Sequence, residues 1–105
     1  MNFEVYADAA DKYRWRLKGG NGQIVASSGE SFASKSNAER AAEGFKGSAK
    51  AATYTVFGNK KAWYWNAKAS NGEKIASGGE SFVSEDNAQR AANNVRDNAG
   101  DATGP

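Results

Sequence analysis

The sequence predicts an α+β fold made of two β-β-β-α repeats, related by a pseudo-two-fold axis and packed as one globular unit. The first observation behind this is an internal duplication. Residues 21–46 (NGQIVASSGESFASKSNAERAAEGFK) and 71–96 (NGEKIASGGESFVSEDNAQRAANNVR) are identical at 14 of 26 positions at an offset of 50. Two copies are too few for an open solenoid, so a closed arrangement is expected in which each copy covers what the other exposes. The second observation is a change of hydrophobic period inside each copy, from alternation to the i, i+3, i+4, i+7 pattern of a helix. The third is the inventory of apolar side chains. Leu, Ile, Val and Phe total only 13 of 105 residues, but 12 aromatic rings and 20 alanines stand beside them. Rings packed on small-residue surfaces make a thin core, too thin for half the chain to fold alone.

The elements follow in order. Phe3–Asp8 alternates weakly and Tyr13–Lys18 cleanly, with Tyr13, Trp15 and Leu17 on one face and Arg14, Arg16 and Lys18 on the other. The second copy sets Trp63, Trp65 and Ala67 against Tyr64, Asn66 and Lys68. Asn21-Gly22 and Asn71-Gly72 signal hairpins, since both residue types tolerate the positive φ of a tight turn. The third strands are Gln23–Ser28 and Glu73–Gly78. A three-residue loop with a bulge at Gly22 sets Val25 opposite Leu17, and the apolar match of Val25 with Ile75 favours that register. Ala38, Ala41, Ala42 and Phe45, and then Ala88, Ala91, Ala92 and Val95, define helices from about 35 to 47 and 85 to 97. Ser34 and Ser84 stand at the N-cap positions. The repeats divide as residues 1–50 and 51–97, with Ala51–Phe57 closing the first and opening the second. Residues 98–105, rich in Gly and Asp, are expected to form a disordered, unpaired tail that leaves a sheet edge uncovered.

Composition excludes more chemistry than it suggests. Fourteen basic and 12 acidic residues give a net charge of +2, with the excess in residues 1–50, so no electrostatic footprint for nucleic acid or membrane stands out. The absence of Cys and His removes disulfides, thiolate nucleophiles, imidazole bases and the usual zinc sites. No cofactor or metal is expected. No segment is long and apolar enough for a membrane span, and the N-terminal residues have no signal-peptide character, which sets a cytoplasmic location as the expectation.

The order FEVY, YRWRLKGGNGQIVASSGESF and SKSNA closely resembles the YegP-like, or UPF0339, family of uncharacterised bacterial proteins. The resemblance covers about residues 3–47 and 54–97. It implies two units sharing one antiparallel sheet, helices on one face, and exchange of the strand that follows each helix. It implies no activity. Because the duplication supplies internally a pairing that single-copy members obtain by dimerising, a monomer is expected.

Three groups of side chains are candidates for function. Arg14, Arg16, Tyr64 and Asn66 line the outward strand faces, where with Tyr6 and Lys18 they would form a binding surface, including one for single-stranded nucleic acid. The bland alternative is a solvated face with partners such as Glu4 across the strands. Glu30 and Glu80 fill the same Gly-Glu-Ser-Phe slot in both copies. As a pair near the two-fold axis they would support acid–base work, and as loop carboxylates near helix N-termini they would be structural. Trp15, Trp63 and Trp65 would make either a core or an aromatic cage, and their parity favours the core. Arg40 and Arg90 are expected in surface ion pairs on the helices. The leading reading is a small non-enzymatic binding or interaction module, with an enzyme centred on Glu30 and Glu80 as the alternative.

Overall fold

The computed structural model describes residues 1–105. Six strands, β1 (Asn2–Ala7), β2 (Tyr13–Lys18), β3 (Ile24–Ser27), β4 (Thr53–Gly58), β5 (Trp63–Lys68) and β6 (Lys74–Gly78), form one antiparallel sheet in the order β1-β2-β3-β6-β5-β4. Helices α1 (Lys35–Ser48) and α2 (Glu85–Asn98) lie on one face. The two halves join at β3 and β6, where Ala26 pairs with Gly78 and Ser27 with Ser77. Ser27 and Ser77 are repeat equivalents, so the pseudo-two-fold axis passes between them, and their hydroxyl oxygens stand 3.5 Å apart.

Local chemistry explains why each copy takes the same path. Ser34 Oγ accepts the Asn37 N–H at 3.1 Å and Ser84 Oγ that of Asn87 at 3.1 Å, which caps each helix where the alanine stripe begins. In the hairpins Asn21 Oδ1 accepts the Gln23 N–H and Asn71 Oδ1 that of Glu73, while Gly22 and Gly72 take φ of 82° and 86°. The three-residue loop is present, since Lys18 pairs with Ile24. The register beyond it differs from the expectation, because a further bulge pairs Leu17 with Ala26 and Ala67 with Ala76. Val25 and Ile75 are the extra residues. The reason is steric: the position beneath the helices is fully buried and takes only alanine, and the bulge moves the larger side chain to the periphery. There Val25 lines a cleft with Ala91 of α2, and Ile75 lines one with Ala41 of α1.

The core lies between sheet and helices. Trp15, Leu17, Phe3 and Phe45 fill the first half, and Trp65, Ala67 and Val95 the second, against Ala38, Ala42, Ala88 and Ala92. The alanine stripes bring the helices close enough for these few rings to fill the space. Tyr13 and Trp63 sit half-buried at its margin rather than within it.

The expectation of a disordered tail is corrected. Ala99–Asp101 forms a 3-10 turn, and Ala99 and Ala102 are buried. The Phe3 N–H donates to the Thr103 carbonyl at 2.8 Å, and the Thr103 N–H to that of Met1 at 3.0 Å, a parallel bridge beside β1. Strand propensity was the wrong criterion here. What docks the segment is two small side chains that fit the core, the same role that Ala49 and Ala52 play before β4. The start of the β1 edge is therefore covered, but no full closing strand forms.

Candidate functional site

The helix-free face of the sheet is open, and it divides into two unlike halves. On β1 and β2, charges pair across the strands. Arg16 Nε donates to Glu4 Oε1 at 2.9 Å, Lys18 Nζ lies 3.3 Å from the same oxygen, and Arg14 Nε donates to Asp8 Oδ2 at 2.9 Å. The Arg16 guanidinium also lies 4.5 Å from the centre of the Tyr6 ring. Hydrogen bonds from Arg16 and then Lys18 hold the Glu4 carboxyl below its ordinary pKa, and that from Arg14 does the same for Asp8. Asp8 is fixed further by accepting the Ala10 and Lys12 N–H groups in the β1–β2 turn.

On β4 and β5 the face is neutral and aromatic. Phe57 and Tyr64 stack with centroids 5.7 Å apart and remain 45% and 43% exposed. Asn66 sits between its cross-strand neighbours Thr55 and Ser77, with Oδ1 buried and unpartnered. Arg14 and Arg16 therefore share a face with Tyr64 and Asn66 but not a site. Three strand spacings separate β2 from β5, about 14 Å. The sequence had named Tyr64 without its partner. The alternation that turns Tyr54 and Val56 inward also turns Phe57 outward, so the signal was present. Asp8, read from the sequence as the end of the first strand, lies one residue beyond β1, where its carboxylate both caps the turn and reaches Arg14.

Glu30 and Glu80 are not brought together as a pair. Both lie beyond the paired ends of β3 and β6, Glu30 in a cleft with Lys74 and Glu80 in one with Ile24. Each lines its own cleft, one under α1 and one under α2. No cluster of three or more Asp or Glu residues is placed to hold a metal ion. Trp15 and Trp65 are core residues, 1% exposed, and form no cage. Arg90 pairs with Asp86 at 3.1 Å, but Arg40 has Ser36 at the corresponding position and no ion pair, which corrects that expectation. No helix is long and apolar enough to cross a membrane.

The model of the family described as "Domain of unknown function (DUF1508)" matches residues 8–55 and again 59–103. The chain belongs to this family. Each match covers one repeat, so the chain carries two DUF1508 units in tandem. A UPF0339 protein of Neisseria meningitidis serogroup B is 49% identical over 53 residues, which is 50% of this chain and 91% of the relative. A UPF0339 protein of Treponema denticola is 52% identical over 33 residues, 31% of this chain and 55% of the relative. Among solved structures, the UPF0339 protein of Shewanella oneidensis superposes with a TM-score of 0.78 at 24% identity, covering 94% of this chain and 84% of that one. The E. coli protein yegP, described as of unknown function, also gives 0.78 at 24% identity, covering 97% and 88%. These two likenesses bear on the fold alone, which this chain shares with both proteins.

Proposed function

We propose that this tandem DUF1508 chain is a non-enzymatic interaction module that contacts a macromolecule through the helix-free face of its sheet. The observation that carries the reading is the exposed Phe57–Tyr64 stack on a face that no other element covers. A soluble domain rarely leaves two adjacent rings in water without a use for them, and a flat sheet suits an extended partner better than a small molecule. The placement of Glu30 and Glu80 in different clefts supports the non-enzymatic reading, because paired-carboxylate chemistry needs both groups at one site. The internal β3–β6 junction supports a monomer, and the lack of cysteine supports a cytoplasmic setting.

A second reading, single-stranded nucleic acid, is favoured by the presence of Tyr6, Phe57 and Tyr64 on the same face as Arg14, Arg16 and Lys18. Against it, the cationic heads are already held by Asp8 and Glu4. The test is affinity capture from lysate, with and without nuclease, using the natural chain and a Phe57→Ser/Tyr64→Ser variant. A nuclease-resistant partner lost with the variant is expected. Equal capture by both proteins removes the face from consideration, and nuclease-sensitive capture that weakens steeply with salt shifts the reading to nucleic acid.

A further inference from the structure

On the opposite side of the sheet, the duplication supplies its own control for a second site. Each helix covers a cleft whose other wall is the hairpin of the other repeat. The cleft under α1 is lined by Glu30, Phe32, Phe45, Glu73, Lys74 and Ile75, with Gly44 in its helical wall, and has a volume of about 310 Å³. Its equivalent under α2 has about 80 Å³. Three wall residues, Glu30, Phe32 and Ala41, have identical counterparts in Glu80, Phe82 and Ala91, whereas Gly44 is replaced by Asn94, Phe45 by Val95, Ser48 by Asn98, Ala69 by Gly19, Glu73 by Gln23, Lys74 by Ile24 and Ile75 by Val25.

Gly44 is the informative difference. It lies inside a helix, where glycine is the poorest residue short of proline. Its φ is not positive, and nothing lies within 4 Å of the place a Cβ would take. Neither backbone nor packing therefore demands glycine here. What it does is leave the helical wall open, where Asn94 narrows the other cleft. The chemistry of the open cleft is also distinct. Phe32, Ala41, Phe45 and Ile75 form an apolar floor, and two carboxylates, Glu30 and Glu73, stand at it with no ion-pair partner. Lys74 lies across Gly29 rather than in a salt bridge with either. The cleft thus has an apolar body and a net charge of −1, and a volume at the small end of ligand pockets.

We infer that the cleft under α1 is a binding site for a small ligand with an aromatic or aliphatic body and an ammonium head, the body lying on Phe32 and Ile75 and the head between Glu30 and Glu73. The site is independent of the open sheet face. The test uses phenethylammonium as the probe and 3-phenylpropionate, of similar size and opposite charge, as the control, each titrated against the full chain and followed by backbone amide NMR. Saturable shifts at Gly44, Ser48 and Ile75 are expected for the amine at millimolar concentration, about a 1 mM Kd being ordinary for so small a ligand. The anion should give none. Gly44→Asn, which installs the residue of the narrow cleft and improves helix propensity, should weaken the amine by at least about tenfold. Glu73→Gln, on an exposed hairpin where folding is not at stake, should weaken it several-fold. The inference is overturned by an absence of saturable shifts, by equal response to amine and anion, or by unchanged affinity in either variant.

Discussion

The first repeat packs Trp15 against Phe45, rings stacked at 5.3 Å, with Phe3 edge-on at 5.5 Å. The second has Val95 where the first has Phe45, and its Trp65 tilts against Tyr54 at 5.7 Å and lies over Gly78, the counterpart of Ser28. A Cβ at Gly78 would come within 2.6 Å of Trp65 Nε1. The residues under the two indoles have therefore diverged together: a large ring and a serine in one copy, a valine and a glycine in the other. The outer face has diverged as well, toward ion pairs on β1–β2 and neutral rings on β4–β5. What has not diverged is the backbone scaffold of caps, hairpin loops, bulges and strand registers. Two copies of one frame tolerate different fillings because each filling is solved locally.

The largest break in the comparison is expected at Phe45. Truncating it to Ala removes a ring that touches both Trp15 and Phe3, and should cost about 3–5 kcal/mol. Val95→Ala removes only two methyl groups and should cost about 1.5–2.5 kcal/mol. Urea denaturation of the two variants measures the gap. Equal losses would show that the two indoles are held in equivalent pockets after all.

A smaller and sharper test is Gly78→Ser, which writes the first repeat's residue into the second. The new Cβ meets the Trp65 indole, and overpacking of this kind costs about 1–3 kcal/mol. The indole N–H, buried without a partner, would gain an acceptor only if the ring shifted first. Replacing Trp65 by Phe should relieve the clash, so a double-mutant cycle should return a coupling of about 1 kcal/mol or more. Additive effects would mean that Gly78 is set by the backbone and not by Trp65.

How much of this was legible in the residues depends on the kind of constraint. The strands, helices and caps were legible because Trp15, Leu17, Ala38 and Ser34 each state a period or a terminus locally. The Val25 register was not, because the bulge goes with the full burial of Ala26 and Ala76 beneath the helices, a tertiary constraint that no local pattern records. The docking of Ala99 and Ala102 was hidden for a related reason: alanine in a polar tail looks like nothing until the cavity it fills is known. Of the site, the outward parity of Arg14, Arg16, Tyr64 and Asn66 was legible. Their partition into two clusters required the strand order, and the cleft beside Gly44 required both repeats in place.

The smallest expected effects are pH responses, and they separate the repeats most cleanly. Tyr54 occupies the place of Phe3, and its hydroxyl donates to the Ala49 carbonyl at 2.7 Å. Burial pushes its pKa from 10.0 up to about 12. An acid whose pKa is raised on folding is held in its neutral form, so its contribution is whole below pH 10 and is lost as pH rises toward 12. On the first repeat the sign reverses. Glu4 and Asp8 are held below their ordinary values by Arg16 and Arg14, so their contribution is present above the unfolded pKa, about 4, and is lost as pH falls through the lowered values. Both carboxylates are part-buried at the sheet surface but still reached by solvent, and the acid loss should be slight. Alkaline softening should therefore be carried by the second repeat and vanish in Tyr54→Phe, at a cost of about 1 kcal/mol at neutral pH for the lost hydrogen bond. The acid response should be carried by the first repeat and shrink in Arg16→Gln, with the Glu4 carboxyl shift moving back toward 4.5 in an NMR titration. A Glu4 that titrates at 4.5 in the natural chain would mean that the ion pairs on β1–β2 do not persist in solution, which would leave the Arg16 charge free for a polyanionic partner.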